Sequence, residues 1–307
     1  MADAAKQRYA LITGANKGIG FQICRQLASR GMVVILAARD EKRGIEAREK
    51  LKEFDNVVFQ QLDVADPASV AAVFEFIKST FGRLDILVNN AGIRGVDVAG
   101  DVSVLEEYIV ADCAFFEAGG QVEEPFHPKA EGKLVETLKN AEECIETNYY
   151  GAKRVTEALI PLLQLSDSPR IVNVSSTLGS LVLQPNEVAK RVLSSKEGLT
   201  EERVDEVVQE FIKDLKKGKV EEKQWPPHFA AYKVSKAALN AYTWLAAQRH
   251  PRFLVNSVCP GFARTDITFN HGPLSEVEAA EAPVKMALLP DGGPSGSFFH
   301  RLEALSL

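Results

Sequence analysis

Two tyrosine–lysine pairs in the sequence have a spacing suited to acid–base chemistry. Tyr232 precedes Lys236 by four residues, and Tyr149 precedes Lys153 by the same interval, so on a helix each pair would share one face. A phenol has an ordinary pKa of about 10, and a neighbouring ammonium group favours the phenolate and lowers that pKa. A tyrosine tuned in this way can exchange a proton with a carbonyl or alcohol oxygen near neutral pH. Spacing alone does not distinguish the two pairs.

A glycine-rich segment near the N-terminus predicts a nucleotide-binding turn. It reads Thr13-Gly14-Ala15-Asn16-Lys17-Gly18-Ile19-Gly20 and follows a short apolar run. Glycines let backbone N–H groups approach a pyrophosphate at the start of the next helix, where the helix dipole favours an anion. The spacing G-x-x-x-G-x-G is not the G-x-G-x-x-G fingerprint, so an ordinary strand–helix turn is the alternative. Its position after the first strand of an alternating fold favours nucleotide binding.

The end of the predicted second strand, which carries Arg39 and Asp40, bears on the choice of nicotinamide cofactor. An acidic residue here hydrogen-bonds the ribose 2′-hydroxyl of NADH, whereas an arginine accommodates the 2′-phosphate of NADPH. Lys17, Arg39 and Arg43 can converge on one phosphate. The alternatives are that Asp40 selects NADH, or that the two arginines are solvated residues at a helix start. We predict NADPH.

Apolar runs and helical segments alternate along the chain, which predicts an α/β fold with a doubly wound parallel sheet of about seven strands and helices on both faces. The predicted strands cover residues 9–13, 32–38, 57–62, 84–88, 170–174, 252–259 and 297–300. The predicted helices cover residues 18–30, 40–53, 66–81, 131–163 (with a break) and 230–248, and a last helix follows the capping box of Ser275 and Glu278. Two irregular segments, about 94–130 and 184–227, are predicted to be insertions in a single domain spanning residues 1–307.

Composition excludes several classes of protein. The chain has 307 residues, 46% apolar and 25% charged, and a net charge of −6, which argues against a broad nucleic-acid surface. Its four cysteines form no Cys-x-x-Cys pair, so we predict neither a disulfide scaffold nor a metal site. No apolar leader or membrane-spanning run is present. We therefore expect a cytoplasmic protein.

Six motifs occur in the order typical of short-chain dehydrogenases/reductases, and they span nearly the whole chain. They are Thr13-Gly14…Gly18-Ile19-Gly20, Leu62-Asp63-Val64, Asn89-Asn90-Ala91-Gly92, Ser175-Ser176, Tyr232…Lys236 and Pro260-Gly261. The sequence thus resembles that family, whose fold is Rossmann-like. The two insertions and Gly293-Pro294-Ser295-Gly296 resemble plant members of the salutaridine reductase and menthone (neomenthol) reductase type, and carbonyl reductases share this layout.

The resemblance implies a role for each matching residue. Tyr232 would be the acid/base, Lys236 would hold the nicotinamide ribose, Ser176 would bind the substrate oxygen with Ser175 as the less favoured alternative, and Asn148 would support a proton relay. Implied cofactor-binding residues are Thr13, Gly14, Asn16, Lys17, Gly18, Ile19, Gly20, Arg39, Arg43, Asp63, Val64, Asn89, Ala91, Gly92, Tyr232, Lys236, Pro260, Gly261 and Thr265. By position relative to the motifs, the substrate wall would comprise Ile93, Val96, Ser176, Leu178, Phe262 and Ile267.

These observations predict an NADPH-dependent reductase that converts a small, cyclic, terpenoid-like ketone reversibly to a secondary alcohol. One alternative keeps the fold but reduces an activated C=C bond. Another is a dinucleotide-binding protein without catalysis. Because the second insertion should cover the outer face of the helix that bears Tyr232, we also expect a monomer, with the insertions forming a lid over the substrate.

Overall fold

The computed structural model describes residues 7–121 and 126–305. Its strands are β1 (Tyr9–Ile12), β2 (Val33–Ala38), β3 (Val57–Gln61), β4 (Ile86–Asn89), β5 (Asp97–Gly100), β6 (Gly132–Val135), β7 (Arg170–Val174), β8 (Leu254–Cys259), β9 (Phe298–His300) and β10 (Glu303–Leu305). Its α-helices are α1 (Gly18–Ala28), α2 (Glu41–Glu49), α3 (Pro67–Phe81), α4 (Ser103–Glu117), α5 (Leu138–Ile145), α6 (Ala152–Leu163), α7 (Glu187–Ser194), α8 (Glu201–Lys216), α9 (Ala230–Arg249) and α10 (Glu276–Ala287). A π-helical turn, Glu146–Gly151, joins α5 to α6.

The main sheet has the strand order β10-β9-β8-β7-β4-β1-β2-β3. All neighbouring strands are parallel except β10, which runs antiparallel to β9. The order reverses beside β1, because the chain adds β2 and β3 on one side and β4 on the other. Such a reversal opens a crevice beyond the carboxyl ends of the strands. This topology confirms the Rossmann-like, doubly wound prediction.

Two apolar layers hold the helices to the sheet. One face of the sheet packs against α3, α5, α6 and α9, and the other packs against α1, α2 and α10. The strands β1, β2, β4, β7 and β8 are buried along almost their whole length. Their largely apolar character in the sequence therefore follows from burial on both sides.

The first insertion is more regular than the sequence indicates, and it extends past residue 130 to Glu136, the residue after β6. It contains helix α4 between two strands, β5 and β6, that pair antiparallel to each other. Residues 132–135, predicted as part of a long helix that starts at about residue 131, belong instead to β6. The pairing brings Gly132 so close to the other strand that a Cβ atom there would lie 2.5 Å from the carbonyl oxygen of Asp101. Strands of four residues whose partners lie a whole helix apart have no local signature, because their backbone hydrogen bonds are long-range.

The expected count of about seven strands is too low for the main sheet, which has eight. The additional strand is β10, a three-residue segment that reverses onto β9. Its residues are largely exposed, so no apolar run marks it in the sequence. Among residues 7–121 and 126–305, no helix combines the length and the apolar character needed to cross a membrane.

Candidate active site

A cleft of about 610 Å³ lies at the carboxyl ends of the parallel strands. Its lining includes residues that immediately follow β1, β2, β4 and β8, among them Gly14, Arg39 and Pro260. At its other end the cleft is lined by residues of the first insertion and of α9. The sheet therefore brings together motifs that are far apart in the sequence.

The glycine-rich turn lines the cleft. Gly14 and Gly18 have φ angles of +63° and +62°, which favour glycine. Helix α1 begins at Gly18, and its N-cap residue Lys17 makes no side-chain capping bond. The first N–H groups of a helix have no intrahelical partner. The N-terminus of α1 at the cleft is therefore suited to bind an anion. A Cβ atom at Gly20 would lie 2.4 Å from Asn90 Nδ2, so that position requires glycine for packing.

The two residues that follow β2, Arg39 and Asp40, have different roles in the structure. The Asp40 carboxylate caps α2 by accepting a hydrogen bond from the Arg43 backbone N–H at 2.9 Å. Arg39 is exposed and lines the cleft. Lys17, predicted to join the two arginines, is ion-paired with Asp266 across the cleft. All three cations line the cleft, and Lys17 is held there by Asp266.

Tyr232 and Lys236 lie on the inward face of α9 and both line the cleft. Burial raises the pKa of the Tyr232 phenol, and a hydrogen bond with Ser176 opposes that rise. Burial lowers the pKa of Lys236 to about 8. Its Nζ donates to the carbonyl oxygen of Val174 at 2.8 Å and lies 5.6 Å from the centroid of the Tyr232 ring. The expected lowering of the tyrosine pKa by Lys236 is not seen, because desolvation of the phenol outweighs other effects.

The two serines after β7 differ in environment. Ser175 is buried, and its hydroxyl points to the backbone carbonyl of Lys236 at 3.5 Å. Ser176 is half-buried and lines the cleft beside Tyr232. Its Oγ accepts a hydrogen bond from the Leu178 N–H at 3.1 Å, so its hydroxyl hydrogen can be donated into the cleft, to Tyr232 or to a ligand. The geometry favours Ser176 as the residue that meets a substrate oxygen.

Asn148 lies in the π-helical turn, behind the cleft wall. Its side chain accepts from the Ile93 N–H at 2.8 Å and donates to the Ile93 carbonyl at 2.9 Å, and its Nδ2 is 3.1 Å from Ser235 Oγ. A Cβ atom at Gly92 would lie 3.3 Å from Asn148 Oδ1 and 3.7 Å from Lys236 Nζ. Asn148 thus fixes the loop after β4 close to Lys236 without lining the cleft itself.

The second tyrosine–lysine pair lies outside the cleft. Tyr149 is fully buried, and its hydroxyl donates to Asp205 at 2.6 Å. Lys153 forms ion pairs with Asp205 at 2.9 Å and Glu201 at 3.3 Å. These carboxylates belong to α8, so the pair binds the second insertion to the body of the protein.

Two further residues predicted to bind the cofactor also lie outside the cleft. Thr13 is buried, and its Oγ1 accepts from the N–H groups of Asn90 and Ala91 at 3.0 Å each. Asn89 is buried, and its Nδ2 donates to Thr156 and Asn173 at 2.8 Å each. Thr13 thus holds the loop after β4 from behind, whereas Asn89 links β4 to α6 and β7. The predicted residues that do line the cleft are Gly14, Asn16, Lys17, Gly18, Ile19, Gly20, Arg39, Arg43, Asp63, Val64, Ala91, Gly92, Ile93, Val96, Ser176, Leu178, Tyr232, Lys236, Pro260, Gly261, Phe262, Thr265 and Ile267.

Sequence reasoning missed the contribution of α4 to the substrate end. Leu105, Ile109 and Cys113 line the cleft, and their spacing of four residues places them on one face of the helix. Phe229, just before α9, lines it as well and is 3% exposed. The period of four was visible in the sequence, but nothing local indicated which surface that face meets.

Comparisons with known proteins identify the family of the chain. The short chain dehydrogenase family model matches residues 8–114. The chain is 65% identical to (−)-isopiperitenone reductase of Mentha piperita, over 99% of each chain. It is 36% identical to carbonyl reductase [NADPH] 1 of Mus musculus, over 94% of each chain.

Solved structures give the same result. The menthone neomenthol reductase from Mentha piperita superposes with a TM-score of 0.89 at 65% identity, over 97% of this chain and 100% of that one. The salutaridine reductase from Papaver somniferum superposes with a TM-score of 0.84 at 47% identity, over 96% of this chain and 99% of that one. These similarities confirm the family and the groups of members that the motifs and insertions indicate.

Proposed function

The chain belongs to the short-chain dehydrogenase/reductase family and is an oxidoreductase acting on C=O and CH–OH groups, and from this premise we propose that it uses NADPH to reduce a neutral cyclic ketone to a secondary alcohol. The proposal depends on the position of Tyr232. Its hydroxyl is hydrogen-bonded with Ser176, and its side chain lines the cleft together with apolar residues. A phenol at that position can protonate a carbonyl oxygen.

The residues of the cleft fit a dinucleotide that carries a 2′-phosphate. The start of α1 at Gly18 suits the pyrophosphate, and Arg39 suits the 2′-phosphate. Asp40 is already engaged in capping α2, which leaves it less suited to bind a ribose hydroxyl. The similarity to a carbonyl reductase whose name specifies NADPH supports the same choice. Bound NADPH supplies the hydride.

The chain itself supplies the proton and the orientation. Ser176 donates a hydrogen bond to the carbonyl oxygen, and Tyr232 donates its proton to the same atom. The raised pKa of Tyr232 keeps the phenol protonated at neutral pH, as a general acid must be. Lys236, with a pKa of about 8, is mostly an ammonium ion at pH 7 and can hold a ribose hydroxyl beside the phenol.

The substrate end of the cleft suits a neutral, apolar molecule. Its lining includes Val96, Leu105, Ile109, Leu178 and Phe229. In an apolar pocket, the few polar groups present fix the orientation of the ligand. Here those groups would be Ser176 and Tyr232.

Arg94 lies in the sequence between Ile93 and Val96, which line the cleft, but its side chain already has protein partners. Its guanidinium stacks on Phe269 at 4.0 Å and donates to the carbonyl oxygens of Val96 and Asp266 at 2.9 and 3.0 Å. It is therefore poorly placed to bind a substrate carboxylate, which favours ketones without a negative charge.

Reduction of the C=C bond of an enone is the second candidate. It is favoured by the 65% identity to a relative named isopiperitenone reductase. The presence of Tyr232 favours carbonyl reduction, because reduction of the C=C bond does not require this acid at the carbonyl oxygen.

Product analysis with NADPH distinguishes the candidates. We expect menthone to give menthol isomers, and an enone such as isopiperitenone to give an allylic alcohol. A saturated ketone as the product from the enone, with no activity on menthone, would establish C=C reduction instead. Turnover of a 2-keto acid with none of menthone would overturn the apolar substrate class.

We also propose that the protein is a monomer. Helix α8 packs against α9 and α5, and its buried side chains include Val204, Val208 and Phe211. An interface between two identical copies needs the same patch bare on both, and α8 occupies the outer face of α9.

A further inference from the structure

The helix that bears Tyr232 begins without a capping residue of its own. Its N-cap is Phe229, which has φ +51° and ψ +34° and makes no side-chain capping bond. L-residues rarely adopt this left-handed conformation, and a phenylalanine has no polar group to bind the first N–H groups. The local sequence therefore does little to fix where α9 starts, although Tyr232 is only three residues further on.

A carboxylate from the first insertion supplies the missing cap. Glu136 lies directly after β6, and its two oxygens accept hydrogen bonds from the N–H groups of Ala230 at 3.1 Å and Ala231 at 2.7 Å. A negative charge at this position also complements the positive end of the helix dipole. The contact joins residues 94 positions apart, so it couples the lid to α9.

A second buried contact from the same insertion reaches the residue after Tyr232. Lys233 Nζ donates to Asp112 Oδ1 of α4 at 2.8 Å, and His228 Nε2 lies 3.0 Å from the same oxygen. Lys233 is 2% exposed and Asp112 is 5% exposed. Two carboxylates of the first insertion thus bind α9 on either side of Tyr232. Glu136 binds backbone N–H groups before it, and Asp112 binds the side chain of Lys233 after it.

We propose that Glu136 is a positioning residue for Tyr232: by capping α9 from the substrate lid, it holds the phenol at the place where the carbonyl oxygen must sit. The inference rests on the proposed reaction, because it assigns Tyr232 as the acid. It also means that the insertion that forms the substrate wall fixes the proton donor. A displacement of about 1 Å in a reacting group can lower a rate by up to about 100-fold.

The test combines Glu136→Ala with Tyr232→Phe in a double-mutant cycle on the reduction of menthone. In the wild-type background we expect Glu136→Ala to lower kcat by roughly 10- to 100-fold, with the KM for NADPH unchanged. In the Tyr232→Phe background we expect the same change to have little further effect, because the group that it positions no longer donates a proton. A purely structural role would lower kcat by the same factor in both backgrounds.

Two more variants keep the test decisive. Glu136→Gln retains one acceptor oxygen, so it should fold if Glu136→Ala does not, and should lose less activity. Glu142→Ala, on the exposed face of α5, is the matched control and should leave kcat unchanged. Equal kcat values for wild type, Glu136→Ala and Glu136→Gln would overturn the positioning role alone. Full activity of Tyr232→Phe would instead overturn the proposed reaction.

Discussion

Burial sets the protonation of the two groups at the centre of the cleft. It raises the pKa of Tyr232 and lowers the pKa of Lys236 to about 8, because a low-dielectric environment disfavours the charged form of each group. At pH 7 the phenol is therefore neutral and the lysine is mostly charged. This combination is the one that ketone reduction requires, since the proton must leave the phenol in the transition state.

The lowered pKa of Lys236 predicts the alkaline limit of the reaction. As the pH rises through about 8, the ammonium group loses its proton, and we expect kcat for ketone reduction to fall. Lys236→Arg keeps a positive charge at every accessible pH, so this variant should be slower but should retain its rate to higher pH. A wild-type kcat that stays constant to pH 10 would contradict the assignment.

Cofactor choice is predicted to depend on Arg39. Charge-assisted hydrogen bonds are worth about 1.5–3 kcal/mol, so Arg39→Ala should raise the KM for NADPH by roughly 10- to 100-fold and leave the KM for NADH almost unchanged. Lys42→Ala is the matched control, because Lys42 is an exposed cation of α2 and not one of the residues that line the cleft. If the wild type prefers NADH, the assignment to Arg39 is wrong.

The residue types in the sequence were enough to predict the chemistry, but they did not reveal which residues contact one another in the fold. Tyr149 and Tyr232 are followed by lysine at the same spacing, and only their neighbours in the fold distinguish them: Asp205 for the first and Ser176 for the second. Asp205 lies on a different helix, so no local pattern can reveal that contact. Likewise, the ion pair between Lys17 and Asp266 forms only because the fold brings the segment after β8 to the same cleft as the glycine-rich turn.

At the scale of elements, α4 determines the shape of the substrate end. Its inward face carries Leu105, Ile109 and Cys113, whereas Val110, the next residue after Ile109, is 52% exposed. The parallel strands of the main sheet were predictable because each contains a short apolar run. The antiparallel pair of β5 and β6 was not, because most residues of β5 are exposed, those of β6 are at most half-buried, and α4 separates the two strands in the sequence.

Truncation of Ile109 should weaken ketone binding without affecting the cofactor. An apolar side chain of this size contributes about 1.5–3 kcal/mol when buried, so Ile109→Ala should raise the KM for menthone by roughly tenfold. The KM for NADPH should not change. Val110→Ala is the control one residue away and should behave as wild type. Equal KM values for menthone in the two variants would show that α4 does not contact the substrate.

At the scale of the whole molecule, the proposed monomeric state depends on α8. Its charged residues suggest a solvated helix, but its other face is buried against α9 and α5, and Phe211 stacks edge-on against Trp225 at 5.3 Å. Glu201 of α8 also pairs with Arg249 at the end of α9, at 2.6 Å. The helix is thus held by both apolar packing and ion pairs.

Light scattering should therefore give a mass near 33.6 kDa. The expected result should hold across protein concentration, because the outer face of α9 is already covered within one chain. A mass near twice that value would show that another surface mediates assembly and that α8 does not prevent it.

The central claim is that Tyr232, and not Tyr149, supplies the proton for ketone reduction. The most direct test compares kcat for NADPH-dependent reduction of menthone in Tyr232→Phe and Tyr149→Phe. General acid catalysis is worth roughly 10²–10⁴-fold, so Tyr232→Phe should lose about that much activity while still binding NADPH. Tyr149→Phe, which affects only the attachment of α8, should retain most activity below its melting temperature. Near-normal turnover by Tyr232→Phe, with loss of turnover in Tyr149→Phe, would contradict the account.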